Sequence, residues 1–219
     1  MQHSATDKPT VFVVDDDDQL RESLCVLLAM LGHPINAFAG PDAFLRHYRR
    51  EMAGCLILDI RMPRLSGVQL YEKLLKDGKR IPVIFITAHA DVTTAVAAMK
   101  TGAIEFLEKP FERATLVDRV EKALALDAQW RESDRAFAEV TERIARLTAR
   151  DRETLNLIRT GLTNKAIAGR LQLTERAVEM RRSAIMRKLS VRTLSELIEL
   201  AATHQVLSEL RRANADQFN

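Results

Sequence analysis

Three short apolar runs constrain the fold of this chain more than any other feature: Thr10-Val-Phe-Val-Val14, Cys55-Leu-Ile-Leu58 and Pro82-Val-Ile-Phe-Ile-Thr87. Such runs suit strands covered on both faces, the environment of a parallel sheet. Segments of helical period separate them. Leu20, Leu24, Leu27, Leu28 and Leu31 share one helix face before Gly32, and further helices are expected at Pro41 to Arg50, Val68 to Lys76, Val92 to Lys100 and Arg113 to Ala125. Two weaker strands, Ile35 to Phe38 and Ile104 to Leu107, complete the alternation. Unbroken β-α alternation predicts an α/β doubly wound, five-stranded parallel sheet with helices on both faces.

The polar residues fall at one kind of place on that scheme. Asp15 and Asp16 end the first strand, Asp59 the third and Thr87 the fourth, while Lys109 follows the fifth. All five belong to the carboxyl edge of a parallel sheet, where ligands collect. Taken alone, Asp59 could equally cap a turn into the Pro63 to Gly67 loop. The set of five suggests more: carboxylate oxygens suit Mg²⁺, a hydroxyl and an ammonium suit phosphoryl oxygens, and an aspartate can accept a phosphoryl group.

Composition places the remainder. A chain of 219 residues with 47% hydrophobic and 29% charged side chains suggests two globular domains. No run has the length of a membrane span or the pattern of a signal peptide, so a cytoplasmic location without membrane contact is expected. Cys25 and Cys55 lack metal-like spacing and read as reduced, buried thiols. Residues 147 to 219 hold 13 Lys+Arg against 8 Asp+Glu while the rest is slightly acidic, which points to an anionic partner for that part alone.

Residues 126 to 146 contain no Pro or Gly. Ala123, Trp130, Phe137 and Ile144 recur every seven residues, with Leu126, Ser133, Val140 and Leu147 three further on. That pattern predicts a long helix continuing the one from Arg113, its seam pairing with a second chain or packing within one molecule. Beyond it, Thr148-Ala-Arg-Asp151 has capping-box spacing, Thr163 and Thr174 are placed to cap two helices joined by a tight turn, and Thr193-Leu-Ser-Glu196 opens a last helix. The helix after Thr174 carries Arg176, Arg181, Arg182, Arg187 and Lys188 against Glu175 and Glu179, and the pair reads as a helix-turn-helix suited to the major groove.

The first half resembles the receiver domain of bacterial two-component response regulators. The resemblance is carried by Asp15-Asp16, by Asp59-Ile-Arg-Met-Pro-Arg-Leu-Ser-Gly67, by Thr87-Ala88 and by Lys109-Pro110-Phe111. It implies that Asp59 accepts phosphate from a cognate histidine kinase, and that Asp16, Asp59 and the Arg61 carbonyl hold Mg²⁺ with help from Asp15. It further implies that Thr87 and Lys109 contact the phosphoryl group, that Phe106 is the aromatic switch residue, and that the Lys109-Pro110 bond is cis. Arg61 and His89 read first as solvent-facing loop residues, yet they lie two beyond Asp59 and Thr87, where receiver side chains obstruct or admit the hydrolytic water.

Leu147-Thr-Ala-Arg-Asp-Arg-Glu, Gly161-Leu-Thr-Asn-Lys-Ala-Ile-Ala168, Ala177-Val-Glu and Lys188-Leu189 resemble the four-helix LuxR-type DNA-binding domain, and the pairing is similar to the FixJ/NarL class. The resemblance implies contacts to double-stranded DNA from Lys165, Thr174, Arg176, Glu179, Arg181, Arg182, Arg187 and Lys188. It also implies homodimerisation on phosphorylation and RNA polymerase as a further partner. Ala177 replaces a common Thr or Ser, and Arg181 a common His, which alters the preferred site rather than binding itself.

The expected organisation is a receiver at 9–125, a helical linker at 126–146, a helix-turn-helix domain at 147–204 and a tail at 205–219. The expected function is phosphorylation-dependent transcription regulation, not enzymatic turnover. Two alternatives are a Mg²⁺-dependent aspartyl-phosphate phosphohydrolase of the haloacid-dehalogenase type, for which Asp15 and Asp17 fit and Gln19 does not, and a phosphate-independent protein-binding module.

Overall fold

The computed structural model describes residues 8–88, 96 and 99–217, without the side chains of 212–217. The helix expected from Val92 to Lys100 lies largely outside the described residues, and His89 lies outside them altogether. The chain divides into two compact units between Arg131 and Glu132.

The first unit is built on β1 (Thr10–Val14), β2 (Ile35–Phe38), β3 (Gly54–Asp59), β4 (Val83–Thr87) and β5 (Glu105–Glu108), all parallel, in the order β2-β1-β3-β4-β5. Every residue of β3 is buried, because strands pair with it on both edges and helices cover both faces. Around the sheet lie α1 (Asp18–Leu28), α2 (Pro41–His47), α3 (Gly67–Lys76) and the long α4 (Arg113–Ala145). Alternate strand residues feed two cores. Leu56, Leu58, Phe85, Leu70 and Leu74 share one with Phe12, which meets the stacked Phe44 and Tyr48 edge-on; Ile57, Ile84 and Ile86 share the other with Leu24, Leu28, Leu116 and Val120. Cys25 and Cys55 are free thiols, and burial pushes the Cys55 thiol up. Among the described residues no helix is long and apolar enough to cross a membrane.

The helix continuing from Arg113 is present as expected and runs unbroken to Ala145. The first unit ends six residues beyond the expected limit at 125, since Asp127, Trp130 and Arg131 are engaged with it.

In the second unit, residues 132–145 of α4 are joined by α5 (Ala149–Arg159), α6 (Asn164–Leu171), α7 (Glu175–Leu189) and α8 (Leu194–Gln217). Thr148, Thr163 and Thr174 each accept a backbone N–H three residues on, as the sequence suggested, so α5, α6 and α7 each start on a satisfied donor. Helix α8 continues through the segment set apart as a tail. Its extension is held by α4: His204 stacks on Phe137 with centroids 5.1 Å apart, its Nε2 lies 2.9 Å from the Thr141 hydroxyl, and Arg211 lies over the same phenyl ring while pairing with Asp134. The second half of the linker seam is therefore used within one chain. Ser133, which breaks that seam, is exposed just past the division between the units.

Asp151 ties α5 to α7. Its Oδ2 accepts from Lys188 Nζ at 2.7 Å and from the Thr148 amide at 3.1 Å. Burial alone would raise its pKa, but these hydrogen bonds and the Lys188 charge outweigh that and hold it below the usual carboxylate value. A depressed folded pKa stabilises above the unfolded pKa, and that gain is lost as pH falls through the folded value. Lys188→Ala is expected to lower stability by about 1 kcal/mol at neutral pH, a figure kept small by the solvent around the lysine. The gap to the unsubstituted protein should close below the ordinary Asp pKa, as read by urea unfolding of the second unit across pH.

Candidate functional site

A sheet of order 2-1-3-4-5 reverses direction between β1 and β3, which opens a crevice at their carboxyl ends. Asp15 directly follows β1, and the pairing of Val14 with Leu58 sets it beside Asp59. The two carboxylates are 1% and 5% exposed. Lys109, at the end of β5, reaches across to both: its Nζ donates to Asp59 Oδ1 at 2.8 Å and to Asp15 Oδ2 at 3.1 Å. Thr87, fully buried, closes the edge at β4, and its carbonyl accepts the Lys109 amide at 2.8 Å. The Lys109-Pro110 bond is cis, and Phe106 on β5 is half-buried against the core around Phe85.

The loop after β3 is pinned at both ends. The Arg61 amide donates to Asp59 Oδ2 at 2.7 Å, the Gly67 amide to the Ile60 carbonyl at 2.9 Å, and Ser66 and Gln69 form a reciprocal capping box on α3. A Cβ at Gly67 would lie 2.2 Å from the Asp59 carbonyl oxygen, so only glycine lets the loop return this close to β3. The Arg61 side chain is exposed.

The acidic run is divided among separate tasks. Asp15 is paired with Lys109, Asp17 caps α1 by accepting from the Gln19 and Leu20 amides, and Asp18 pairs with Arg21. Asp16 is exposed and lines a cleft of about 390 Å³ with Gly40, Arg46, Met62 and Arg64. With Asp17 turned to helix amides, the dehalogenase-type arrangement of two catalytic carboxylates at Asp15 and Asp17 is not formed.

Burial pushes the Asp59 carboxyl above the usual carboxylate range; the hydrogen bond and charge of Lys109 oppose it, Asp15 adds to the rise, and the Arg61 amide opposes it. For Lys109, burial acts to lower the pKa, but Asp59 and Asp15 outweigh it and the ammonium is held more firmly than usual. Among the described residues no three His, Cys, Asp or Glu side chains converge to enclose a metal. The donor set nonetheless fits Mg²⁺, which takes one or two carboxylates and fills its other positions with water and phosphate oxygens. Asp15 and Asp59 already share one cationic group between them.

On the second unit, Arg176, Glu179 and Arg187 of α7 are exposed, as are Lys165 on α6 and the cap Thr174. Arg181, Arg182 and Lys188 have internal partners: Thr154 Oγ1 at 3.3 Å, Asn164 Oδ1 at 3.1 Å and Asp151. A groove brings Arg150 and Arg170 beside Arg181, and Met180 is exposed on the same helix as Arg176. Sequence reading did not bring Arg150 and Arg170 together with Arg181, since no spacing signals that residues from α5, α6 and α7 meet.

Comparison with known proteins gives the same division. Residues 11–121 match the family described as response regulator receiver domain, and residues 145–201 the family described as bacterial regulatory proteins, luxR family. Transcriptional regulatory protein FixJ of Azorhizobium caulinodans is 40% identical over 191 residues, covering 87% of this chain and 90% of that protein. This chain belongs to the FixJ-type response regulators. Nodulation protein W of Bradyrhizobium diazoefficiens is 38% identical over 199 residues, covering 91% of the regulator and 88% of its relative. The solved structure of response regulator StyR superposes with a TM-score of 0.80 at 45% identity, over 90% of this chain and 99% of that one. Full-length FixJ from B. japonicum gives 0.56 at 35% identity, over 92% and 99%. A receiver joined to a LuxR-type domain makes this response regulator a phosphorylation-dependent regulator of transcription.

The raised pKa of Asp59 has a measurable consequence. An acid whose folded pKa lies above its unfolded value adds stability at low pH that is lost as pH rises through the folded pKa. Asp59→Asn is therefore expected to be more stable than the unsubstituted regulator at pH 7 in chelator-containing buffer. The difference should vanish below about pH 3, where the Asp59 carboxyl is largely neutral in both folded and unfolded states. Urea unfolding of the two proteins at the two pH values checks it.

Proposed function

We propose that Asp59 is the phosphoryl acceptor, and the observation that carries this is the Lys109 ammonium shared between Asp59 and Asp15. A carboxylate oxygen of Asp59 attacks the phosphorus of a phosphohistidine on a cognate histidine kinase. The P–O bond forms, the P–N bond breaks, and the imidazole nitrogen leaves with its electron pair. Lys109 then loses its bond to one carboxylate oxygen and gains phosphoryl oxygens to donate to, and the Thr87 hydroxyl donates to another. Asp15, Asp16, Asp59 and the Arg61 carbonyl would hold Mg²⁺, which when bound neutralises charge on the phosphoryl oxygens. Movement of Thr87 draws Phe106 with it and alters the surface around β5 and α4.

The output is DNA binding by a homodimer that places one α7 in each of two half-sites and acts on RNA polymerase in the cytoplasm. Exposed Arg176, Arg187 and Lys165 reach DNA most freely, and Thr174 and Glu179 are exposed as well. Lys188, Arg181 and Arg182 chiefly hold α7 in place. The protein is a switch and not a turnover enzyme: one phosphoryl group per acceptor sets a conformation. These roles are assigned to a receiver at 9–125, a linker at 126–146, a helix-turn-helix domain at 147–204 and a tail at 205–219, with the receiver's hold on the linker extending to Arg131.

Two measurements test this. Asp59→Asn should take no label from a small-molecule phosphodonor with Mg²⁺ and should show no donor-dependent gain in DNA affinity; a variant that is labelled and responds overturns the assignment. Arg176→Ala and Arg187→Ala should each weaken binding on every sequence or at one base, and a lost phosphate contact should lower the slope of log K against log salt by about 1. Unchanged affinity and slope in both would exclude this face of α7.

A further inference from the structure

Asp127 on α4 is a carboxylate only 2% exposed, and the phosphoryl chemistry leaves it without a role. Its Oδ2 accepts from the Gly54 amide at 2.9 Å and from Arg131 Nε at 2.7 Å. The Arg131 guanidinium continues into the loop before β3, donating to the carbonyls of Glu51 at 3.1 Å, Arg50 at 3.4 Å and Met52. Beside it, Trp130 carries the Arg80 guanidinium 3.5 Å from its ring centre, from the connection between α3 and β4. One turn of helix is thus fastened to two loops and to the first residue of β3.

Apolar burial by α4 against the sheet ends at Leu124, and the next turn buries a charge instead. Apolar contacts tolerate a helix that slides or rotates, whereas several hydrogen bonds to fixed carbonyls and one amide set its rotation and its height. Gly54 is suited to receive such a bond, since at φ +149 a Cβ would lie 1.8 Å from the Thr10 carbonyl oxygen and no side chain can stand there. The strand that begins at Gly54 ends at Asp59 and is paired on both edges, so a displacement at one end is passed along it. The loop carbonyls of Arg50 and Glu51 belong to exposed residues, and water can replace Arg131 there without opening the sheet.

We propose that Asp127, Trp130 and Arg131 are positioning residues of the switch: a clip that ties the start of the linker helix to the phosphoacceptor strand and carries the phosphoryl state into the linker. The proposal rests on Asp59 phosphorylation controlling DNA binding. Without the clip, the receiver still takes phosphate and the second unit still binds DNA, but the two events are uncoupled.

The test uses the full-length chain, phosphoramidate as donor, and a DNA fragment selected for binding to the unsubstituted protein. Arg131→Ala is expected to reach the same phosphorylated fraction by intact mass and to keep its donor-free Kd within about twofold, while its donor-dependent gain in affinity falls at least about fivefold. The Gly54 amide should exchange with solvent about tenfold faster. Arg131→Lys, which can pair with Asp127 but cannot bridge several carbonyls, should fall between. If Arg131→Ala accelerates exchange at Gly54 yet keeps the full gain, the clip is structural only and the proposal is overturned. An unsubstituted protein that gains no affinity with donor overturns the phosphorylation reading itself. Should Arg131→Ala fail to accept phosphate, Asp127→Ala, which removes the acceptor of both the Gly54 amide and Arg131 Nε, carries the same comparison, and a full gain there overturns the clip.

Discussion

Lys109 holds two buried carboxylates of the first unit at one point, and much else at that edge depends on it. Asp15 and Asp59 come from adjacent strands and would repel each other out of water, where an unpaired buried charge costs about 3–5 kcal/mol when its partner is lost. One ammonium from two strands away offsets both. Its position depends in turn on β5, on the Thr87 carbonyl that accepts its amide, and on the five-strand order that brings these ends to one crevice. The same arrangement leaves Asp59 only partly compensated, and burial still raises its pKa. Under the proposed phosphorylation this balance would shift, since a phosphoryl group on Asp59 brings more charge and more acceptor oxygens than the carboxylate it replaces.

The second unit divides its cations between framework and reach. Lys188, Arg181 and Arg182 look like equals of Arg176 and Arg187 along the helix, yet each is bonded to α5 or α6. Their hydrogen bonds set where α7 stands, and Arg176 and Arg187 stand on what they set. Helix α8 is extended by a related device, with Phe137 of α4 between the His204 ring and the Arg211 guanidinium. This pairing occupies the linker seam that the heptad spacing left open to a second chain or to internal packing.

Much of the fold was legible because its signals are local. Buried strands show as apolar runs, helix faces as 3, 4 spacing, and helix starts as Thr148, Thr163 and Thr174, whose caps need only the next three residues. The strand-end residues Asp15, Asp59, Thr87 and Lys109 were legible for the same reason: β-α alternation alone sends parallel strand ends to one edge. The role of Asp17 as a cap rather than a second acid was harder to see, since four consecutive carboxylates look alike until backbone amides choose among them.

The sequence by itself determined the set of elements, the edge on which the chemistry gathers and the kind of partner each half takes, because these depend on periodicity, strand direction and charge. The tertiary structure decided which ammonium neutralises which carboxylate, which arginines remain exposed, and where the receiver lets go of the linker. By spacing alone, Asp127 and Arg131 are one i, i+4 charge pair among several on that helix. Only the fold buries that pair against Gly54 and the loop before β3, more than seventy residues away in the chain, and no local pattern encodes a contact made across that distance.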